Sequence, residues 1–222
     1  MKEGILIVDK PAGMTSHDVV DVARKKLKTR RVGHSGTLDP VATGVLVLLV
    51  GKATKLFSKF VHFDKEYEAT LKLGIVTSTG DCEGAILSEQ DVSEITEKQV
   101  RDVFAQFIGE RQQVPPMVSA IKHKGKRLYE LARRGIEVER KARPIKIYEL
   151  VITRMSLPEI DFFVRCSKGT YVRRLGEEIG EILGCGGFIS RIRRVSLGFF
   201  HIRDSIKIED IDESCLRAWS PA

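Results

Sequence analysis

Apolar positions along the chain follow two different periods, which divide it into predicted strands and helices. A continuous apolar run over residues 45–50 has no polar interruption and predicts a strand buried on both faces. Residues 65–74 alternate instead, with Tyr67, Ala69 and Leu71 on the face opposite the charged positions. This alternation is typical of a half-exposed antiparallel strand, so Tyr67 is expected to point the same way as core residues.

Helical spacing begins at two predicted capping boxes and again after a polar turn. The first helix starts at residues 15–18 and is expected to carry its basic end as far as Arg31. The second starts at residues 96–99 and is expected to close at Gly109. Its predicted inward residues are Val100, Val103, Phe104, Phe107 and Ile108. A third helix follows residues 167–170, with the predicted inward residues Leu175, Ile179, Ile182 and Leu183.

The remaining apolar segments predict further strands. Residues 4–8, 144–155 and 160–167 are rich in β-branched and aromatic side chains. A short helix is expected before Gly135, and no regular alternation of strand and helix runs through the chain. The predicted fold class is therefore α+β, around a largely antiparallel sheet.

Composition and charge favour a protein that meets a polyanion. The chain has 222 residues, of which 42% are hydrophobic, a share typical of a folded protein with a sizeable core. Lysine and arginine number 37 against 30 acidic residues, giving a formal charge of +7. This balance favours a partner such as nucleic acid without demonstrating one.

The cysteines and the N-terminus argue against export and against a metal centre. Cys82, Cys166, Cys185 and Cys215 are scattered, with no pair or Cys/His cluster that would indicate zinc or a disulfide framework. The apolar run near the N-terminus is too short for a signal peptide, and no segment approaches bilayer length. We expect a cytoplasmic protein with reduced thiols and no metal.

The stretch GHSGTLDP, residues 33–40, places one carboxylate in a shaped loop. Gly33 and Gly36 permit backbone conformations closed to other residues, and Pro40 pushes Asp39 toward an extended backbone. Taken alone, an Asp-Pro step after glycines is a common turn. Its position immediately before the buried strand raises the alternative that Asp39 is a reactive group held by a rigid element.

Four separated segments resemble one family in the family's own order. They are DKPAGMTSHD, GHSGTLDPVATGVL, KEYEATLKLG and CSKGTYVRRLGEEIGEILGCGG. Together they resemble the catalytic domain of the TruB family of tRNA pseudouridine synthases. The resemblance implies the pseudouridine synthase fold, a curved, mixed and mainly antiparallel sheet flanked by helices with a central RNA-binding cleft.

The same resemblance assigns catalytic roles to three residues. Asp39 corresponds to the catalytic aspartate, Arg173 to the arginine that neutralises and orients it, and Tyr67 to the tyrosine that stacks on the target base and is positioned for proton transfer. The implied reaction detaches uracil from ribose and rejoins it through C5, with no cofactor or metal. Whether the carboxylate adds to C6 of the base or attacks the sugar carbon stays open.

Four further residues fall at positions where the family contacts its substrate or supports the site. His34 matches the histidine that fills the space left by the flipped nucleotide, with bracing of the loop as the alternative. Tyr171 and Ile192 match the lining of the uracil pocket, although core packing is an equal alternative for Ile192. Lys10, grouped with them, is expected to support the catalytic loop.

The resemblance also implies the domain plan. Residues 1–204 are expected to form the catalytic domain, with a basic RNA-binding insert at about 111–135, and residues 205–222 a short tail without a full PUA module. Binding of tRNA would then depend more on phosphate contacts. Expected phosphate ligands are Arg30, Arg31, Lys122, Lys124, Lys126, Arg127, Arg191, Arg193 and Arg194.

The implied substrate is uridine 55 in the T loop of tRNA. Alternatives are a guide-RNA-dependent pseudouridine synthase and a non-catalytic RNA-binding or RNA-folding module of the same fold. A glycosidase is disfavoured because such enzymes need two paired acids, and only Asp39 stands in a suitable motif. We expect a monomer with no obligatory protein partner, since heptads are absent.

Overall fold

The computed structural model describes residues 2–123 and 125–219, which form two compact units. The first unit combines the chain up to Tyr67 with the chain from Ile192 onward, and the second consists of residues 68–191. The helices are α1 (Ser16–Lys26), α2 (Phe57–Phe60), α3 (Glu97–Ala105), α4 (Leu128–Ala132) and α5 (Val172–Leu183). The strands are β1 (Gly4–Lys10), β2 (Val32–His34), β3 (Thr43–Val50), β4 (Lys65–Leu73), β5 (Ile75–Thr77), β6 (Ile86–Glu89), β7 (Gly109–Gln113), β8 (Lys122–His123), β9 (Lys126–Arg127), β10 (Arg143–Ser156), β11 (Glu159–Cys166), β12 (Gly187–Leu197), β13 (Phe200–His201) and β14 (Ile206–Lys207).

The first unit is built on β3, the uninterrupted apolar strand. β1 pairs with it antiparallel along its whole length, β2 pairs with it antiparallel, and β12 pairs with it parallel. Every residue of β3 after Thr43 is buried, as the apolar run predicts. On one side of the sheet the core includes Ile5, Val47, Phe60 and Phe200.

The second unit orders its main strands β4, β11, β10 and β7. β10 pairs antiparallel with β11 and with β7. Phe104 of α3 meets Phe162 of β11 edge to face, with ring centroids 5.6 Å apart. Antiparallel pairing with segregated helices confirms the predicted α+β class.

Two helix ends differ from the prediction. α1 ends at Lys26 and Lys28 has a positive φ of 51°, so Arg30 and Arg31 lie beyond the helix rather than in its last turn. α3 ends at Ala105, and Gly109 begins β7 instead of closing the helix. Both capping boxes are present as predicted, because they depend only on residues three positions apart.

Two residues predicted to point inward are exposed. Ile108 lies past the end of α3 and is 52% exposed, and Ile182 lies in the last turn of α5 and is 50% exposed. Helical spacing assigns a face only while the helix continues, and it weakens at the final turn.

α5 packs closely on the turn that leads into β12. A Cβ on Gly180 would lie 2.3 Å from the backbone carbon of Gly186, so no larger residue fits there. The carbonyl of Gly180 also accepts hydrogen bonds from the amides of Cys185 and Gly186. Glycine at this position therefore permits the contact that fixes α5 against the sheet.

Asp161 of β11 joins three neighbours on the polar side of the second unit. It accepts hydrogen bonds from Arg154 Nε at 2.7 Å, from Thr70 Oγ1 at 2.6 Å and from Arg191 at 3.3 Å. The Arg154 guanidinium, followed by the Thr70 hydroxyl, holds the pKa of Asp161 below its usual value.

We expect Asp161→Asn to lower the free energy of unfolding by about 1–2 kcal/mol at pH 7. Because the folded pKa is depressed, this contribution is present above the unfolded pKa of about 3.9 and is lost as the pH falls through the folded value. Thermal unfolding of variant and wild type from pH 7 to pH 3 measures the difference, which should narrow at the acidic end. Asp102→Asn, in an exposed pair with Lys98, is the control. A difference independent of pH would contradict the assignment.

Candidate active site

The loop that carries Asp39 connects β2 to β3 in the first unit. The amide of Ser35 donates to Val47 O at 3.0 Å, and the amide of Ala42 donates to Asp39 O at 3.0 Å. Asp39 is half-buried between these two attachments. The loop is therefore closed at its base on the buried strand, as its sequence position indicates.

The residue before Asp39 is fixed by one serine. Ser16 Oγ donates to Leu38 O at 3.0 Å and accepts from the Leu38 amide at 2.8 Å. Ser16 and Leu38 are both buried, so neither bond competes with bulk water. The first residue of α1 thus sets the backbone on the N-terminal side of Asp39.

The residue after Asp39 is fixed by a buried ammonium group. Lys10 is 0% exposed, and its Nζ donates to Pro40 O at 3.1 Å and to Met14 O at 2.6 Å. The amide of Gly13 adds a second bond to Pro40 O at 2.9 Å. Complete burial fits the expected support of the loop rather than contact with a substrate.

Arg194 holds the glycine-rich part of the same loop. Its Nε donates to Val45 O at 2.7 Å and its Nη2 to Gly36 O at 3.2 Å, while the side chain is 1% exposed. The backbones of β3 and β12 approach each other closely at this point. A Cβ on Gly44 would lie only 2.2 Å from Arg194 O, so glycine is required there. The guanidinium of Arg194 faces protein carbonyls in the interior, which does not fit the expected contact with RNA phosphates.

Three other predicted site residues belong to the first unit. Tyr67 is 7% exposed on β4 and points, as predicted, to the same side as the buried Ala69. His34 ends β2 opposite Leu48 and is half-buried. Ile192 is also half-buried. The functional roles of Tyr67, His34 and Ile192 stay predictions.

In the second unit, Arg173 occupies the first turn of α5 and is 3% exposed. Its Nη1 donates to Thr79 O at 2.8 Å and its Nη2 to Val118 O at 2.7 Å. Nη1 also lies 3.5 Å from Oδ2 of Asp81, whose side chain is equally buried. The guanidinium plane is thus fixed by two carbonyls and one carboxylate.

Asp81 is the site residue that sequence reasoning missed. Its Oδ1 accepts from Thr79 Oγ1 at 2.5 Å and from the Glu83 amide at 3.0 Å, and its carbonyl accepts from Thr77 Oγ1 at 2.8 Å. The segment TSTGDCEG looks like a polar surface loop, yet like GHSGTLDP it places one aspartate within three residues of a glycine. This similarity is the sequence feature that could have pointed to Asp81.

The comparisons with known proteins identify the family. The model for the TruB family pseudouridylate synthase, N-terminal domain, matches residues 24–172. This chain belongs to the TruB family. A protein of Opitutus terrae named tRNA pseudouridine synthase B is 46% identical over 210 residues, covering 95% of this chain and 87% of that protein. Its namesake in Clostridium tetani is 49% identical over 210 residues, covering 95% of this chain and 73% of that protein.

Solved structures agree with the TruB assignment. A chain from the crystal structure of a Cbf5-Nop10-Gar1 complex superposes with a TM-score of 0.74 at 31% identity and matches 94% of this chain. A chain from an H/ACA RNP bound to a substrate RNA containing 2′-deoxyuridine gives 0.70 at 27% identity and matches 93%. This chain spans about half the length of those two solved chains. The expected pseudouridine synthase fold and enzyme class are confirmed.

The basic residues of this TruB chain differ in what they contact. Lys122, Lys126 and Arg127 are exposed on the β8–β9 hairpin, and Lys124 lies outside the described residues. The guanidinium of Arg127 lies 5.9 Å from the ring centroid of Tyr129. Cations on an exposed hairpin are available to a polyanion.

The remaining predicted phosphate ligands are partly engaged by the protein. Arg30 is exposed, and Arg31 is exposed although its Nε donates to Thr54 Oγ1 at 2.9 Å. Arg191 has a side chain 71% exposed beside Asp161. Arg193 donates to Asp9 Oδ2 at 2.7 Å. Contact with RNA stays a prediction for these residues.

The described ranges lack two features. No group of three or more His, Cys, Asp or Glu side chains there could hold a metal ion. No helix within the same ranges has the length and apolar character needed to cross a membrane.

We expect Ser16→Ala to loosen the loop at Leu38, because it leaves a buried amide and carbonyl without their partner. Each unsatisfied group costs about 1–3 kcal/mol. Hydrogen exchange at the Leu38 amide should accelerate, and urea unfolding should show lower stability. Ser58→Ala, on the exposed face of α2, is the matched control. Unchanged exchange at Leu38 would show that Ser16 does not fix this backbone.

Proposed function

We propose that this chain converts uridine to pseudouridine in tRNA, at uridine 55 of the T loop, with Asp39 as the catalytic carboxylate. Relatives 46% and 49% identical over almost the whole chain carry the name tRNA pseudouridine synthase B. The basic balance of the sequence, with a formal charge of +7, suits a nucleic acid substrate.

The observation that carries the proposal is the fixed backbone on both sides of Asp39. Leu38 is held by Ser16, and Pro40 is held by Lys10 and by the amide of Gly13. A carboxylate that forms a covalent bond must be brought close to the reacting atom in one orientation, and this positioning supplies much of the rate.

The proposed chemistry proceeds without a change in atomic composition. Asp39 forms a bond to C6 of uracil or to the sugar carbon as the glycosidic bond breaks, the base turns, and C5 becomes the new point of attachment. The bond to Asp39 breaks, either as C5 attaches to the sugar carbon or by elimination from C6. The proton lost from C5 is balanced by a proton gained at N1, and Tyr67 is proposed to lie against the base for this transfer. The target nucleotide must first leave its stack, at a cost of a few kcal/mol.

The other proposed roles follow the family pattern residue by residue. Arg173 is proposed to neutralise the ionised carboxylate, Tyr171 and Ile192 to line the uracil pocket, and His34 to fill the space of the flipped nucleotide. The exposed cations Lys122 and Arg127 are among the proposed phosphate ligands. Neutralisation is needed because an isolated ionised carboxylate in a closed pocket is strongly disfavoured.

We expect Asp39→Asn to abolish conversion while leaving tRNA binding within about twofold, because the amide keeps the shape but loses the nucleophilic charge. An unmodified tRNA transcript is treated with each protein and mapped by carbodiimide adducts and primer-extension stops. Asp91→Asn, in an exposed turn with Ser93, is the control and should remain active.

Each outcome of this mapping separates the candidate functions. A stop at the T-loop uridine with wild type alone supports both the site and the catalytic residue. Binding without conversion by wild type would favour the non-catalytic module. Conversion that appears only after a guide RNA is added would favour the guide-dependent alternative, and conversion by Asp39→Asn would remove this residue from the chemistry.

We expect Asp81→Asn to lower kcat by about 10- to 100-fold with little change in KM. The buried guanidinium of Arg173 then loses its carboxylate partner 3.5 Å away and shifts toward other acceptors, and small misplacements in a site cost rates of this size. Tritium release from C5-labelled uridine in tRNA gives both constants, with Asp91→Asn again as control. A kcat within about twofold of wild type would show that this pair does not contribute to the reaction.

A further inference from the structure

Gln113 makes a reciprocal pair of hydrogen bonds with the backbone of Tyr171. Its side-chain Oε1 accepts from the Tyr171 amide at 2.8 Å, and its Nε2 donates to Tyr171 O at 3.2 Å. Gln113 is the last residue of β7 and is 3% exposed. The side-chain amide of Gln113 thus pairs with the backbone of Tyr171 as a neighbouring β-strand would.

This arrangement fixes the direction of one side chain. The amide of Tyr171 belongs to the peptide plane before its Cα, and the carbonyl belongs to the plane after it. Holding both planes holds φ and ψ of Tyr171, observed at −104° and 108°, and therefore the direction of its Cβ. Tyr171 is the N-cap residue of α5, so the two bonds from Gln113 also restrain the point at which this helix begins.

The position of Gln113 is itself fixed by the neighbouring chain, so Gln113 can hold Tyr171 in place. Its backbone is in register with Arg143 of β10, and Pro115 and Pro116 follow in the chain. Prolines have a fixed φ, so the segment after Gln113 has few conformations. Five residues along, Val118 O accepts from Arg173 Nη2 at 2.7 Å. One segment therefore holds both Tyr171 and Arg173.

We propose that Gln113 is a positioning residue for the reaction, which sets Tyr171 against the uracil and fixes the start of α5 from which Arg173 projects. This inference rests on the proposed function. The role requires both hydrogen bonds, the one accepted and the one donated, and not only the volume of the side chain.

Gln113→Glu tests that requirement through pH. The ionised glutamate keeps an acceptor for the Tyr171 amide but places a second acceptor against Tyr171 O. The protonated acid, by contrast, restores both bonds with nearly the same shape. The ratio of kcat for Gln113→Glu to kcat for wild type should therefore rise at least about tenfold between pH 8.5 and pH 5.5, with KM for tRNA changed less than about threefold.

Gln112→Glu is the matched control, since Gln112 is the exposed neighbour in β7 and the substitution makes the same charge change. Its kcat ratio should be flat with pH. Gln113→Leu keeps the volume without either bond, and it should lose about 10- to 100-fold in kcat and speed hydrogen exchange at the Tyr171 amide.

A flat pH ratio for Gln113→Glu, or a Gln113→Leu kcat within about twofold of wild type, would overturn the proposal. If Gln113→Leu fails to fold, the pH ratio of Gln113→Glu still decides the matter. Absence of conversion by wild type would instead refute the proposed function. The hydrogen-exchange rate at the Tyr171 amide would still report whether Gln113 holds the backbone of Tyr171.

Discussion

Hydrogen bonds from buried side chains to backbone carbonyls are the interaction on which the first unit's site depends. Lys10 and Arg194 are both buried, and their side-chain nitrogens donate to carbonyl oxygens of the loop around Asp39. Burying such polar groups is costly unless their donors are used, so each of these side chains has few alternatives to its observed position. The loop around Asp39 is therefore held rigidly, although it contains no helix or strand.

The second unit also buries a cationic side chain, but there a carboxylate is among its partners. Arg173 meets two carbonyls and the carboxylate of Asp81, which is itself held by Thr79 and by the amide of Glu83. A guanidinium has a planar set of donors, so three acceptors in different directions define its plane as well as its position. A lysine at this place would satisfy the charge but not the orientation.

Local patterns predicted what depends on neighbouring residues and missed what depends on distant ones. The capping boxes at Thr15 and Thr96 and the buried strand β3 follow from short-range rules, and all three are present. The bonds from Ser16 to Leu38 and from Arg173 to Val118 join residues 22 and 55 positions apart. Periodicity assigns a face to a side chain, but it does not name the group opposite.

Family resemblance filled part of that gap, because it assigns candidate roles to Asp39 and Arg173 from motifs alone. It did not identify Asp81 or Gln113, which contact Arg173 and Tyr171 respectively. It also grouped Arg194 with surface cations, since a run of arginines in β12 looks uniform in sequence. In the structure Arg194 is buried, whereas Arg191 and Arg193 are not.

Gly180 links the placement of Arg173 to the docking of α5. α5 has 12 residues, a length at which an isolated helix is marginal in water, and an interior glycine costs about 1 kcal/mol relative to alanine. The helix therefore gains its stability by docking on the turn before β12, where Gly180 allows the close approach. Arg173, in the first turn of α5, therefore reaches its buried acceptors only when this helix is docked.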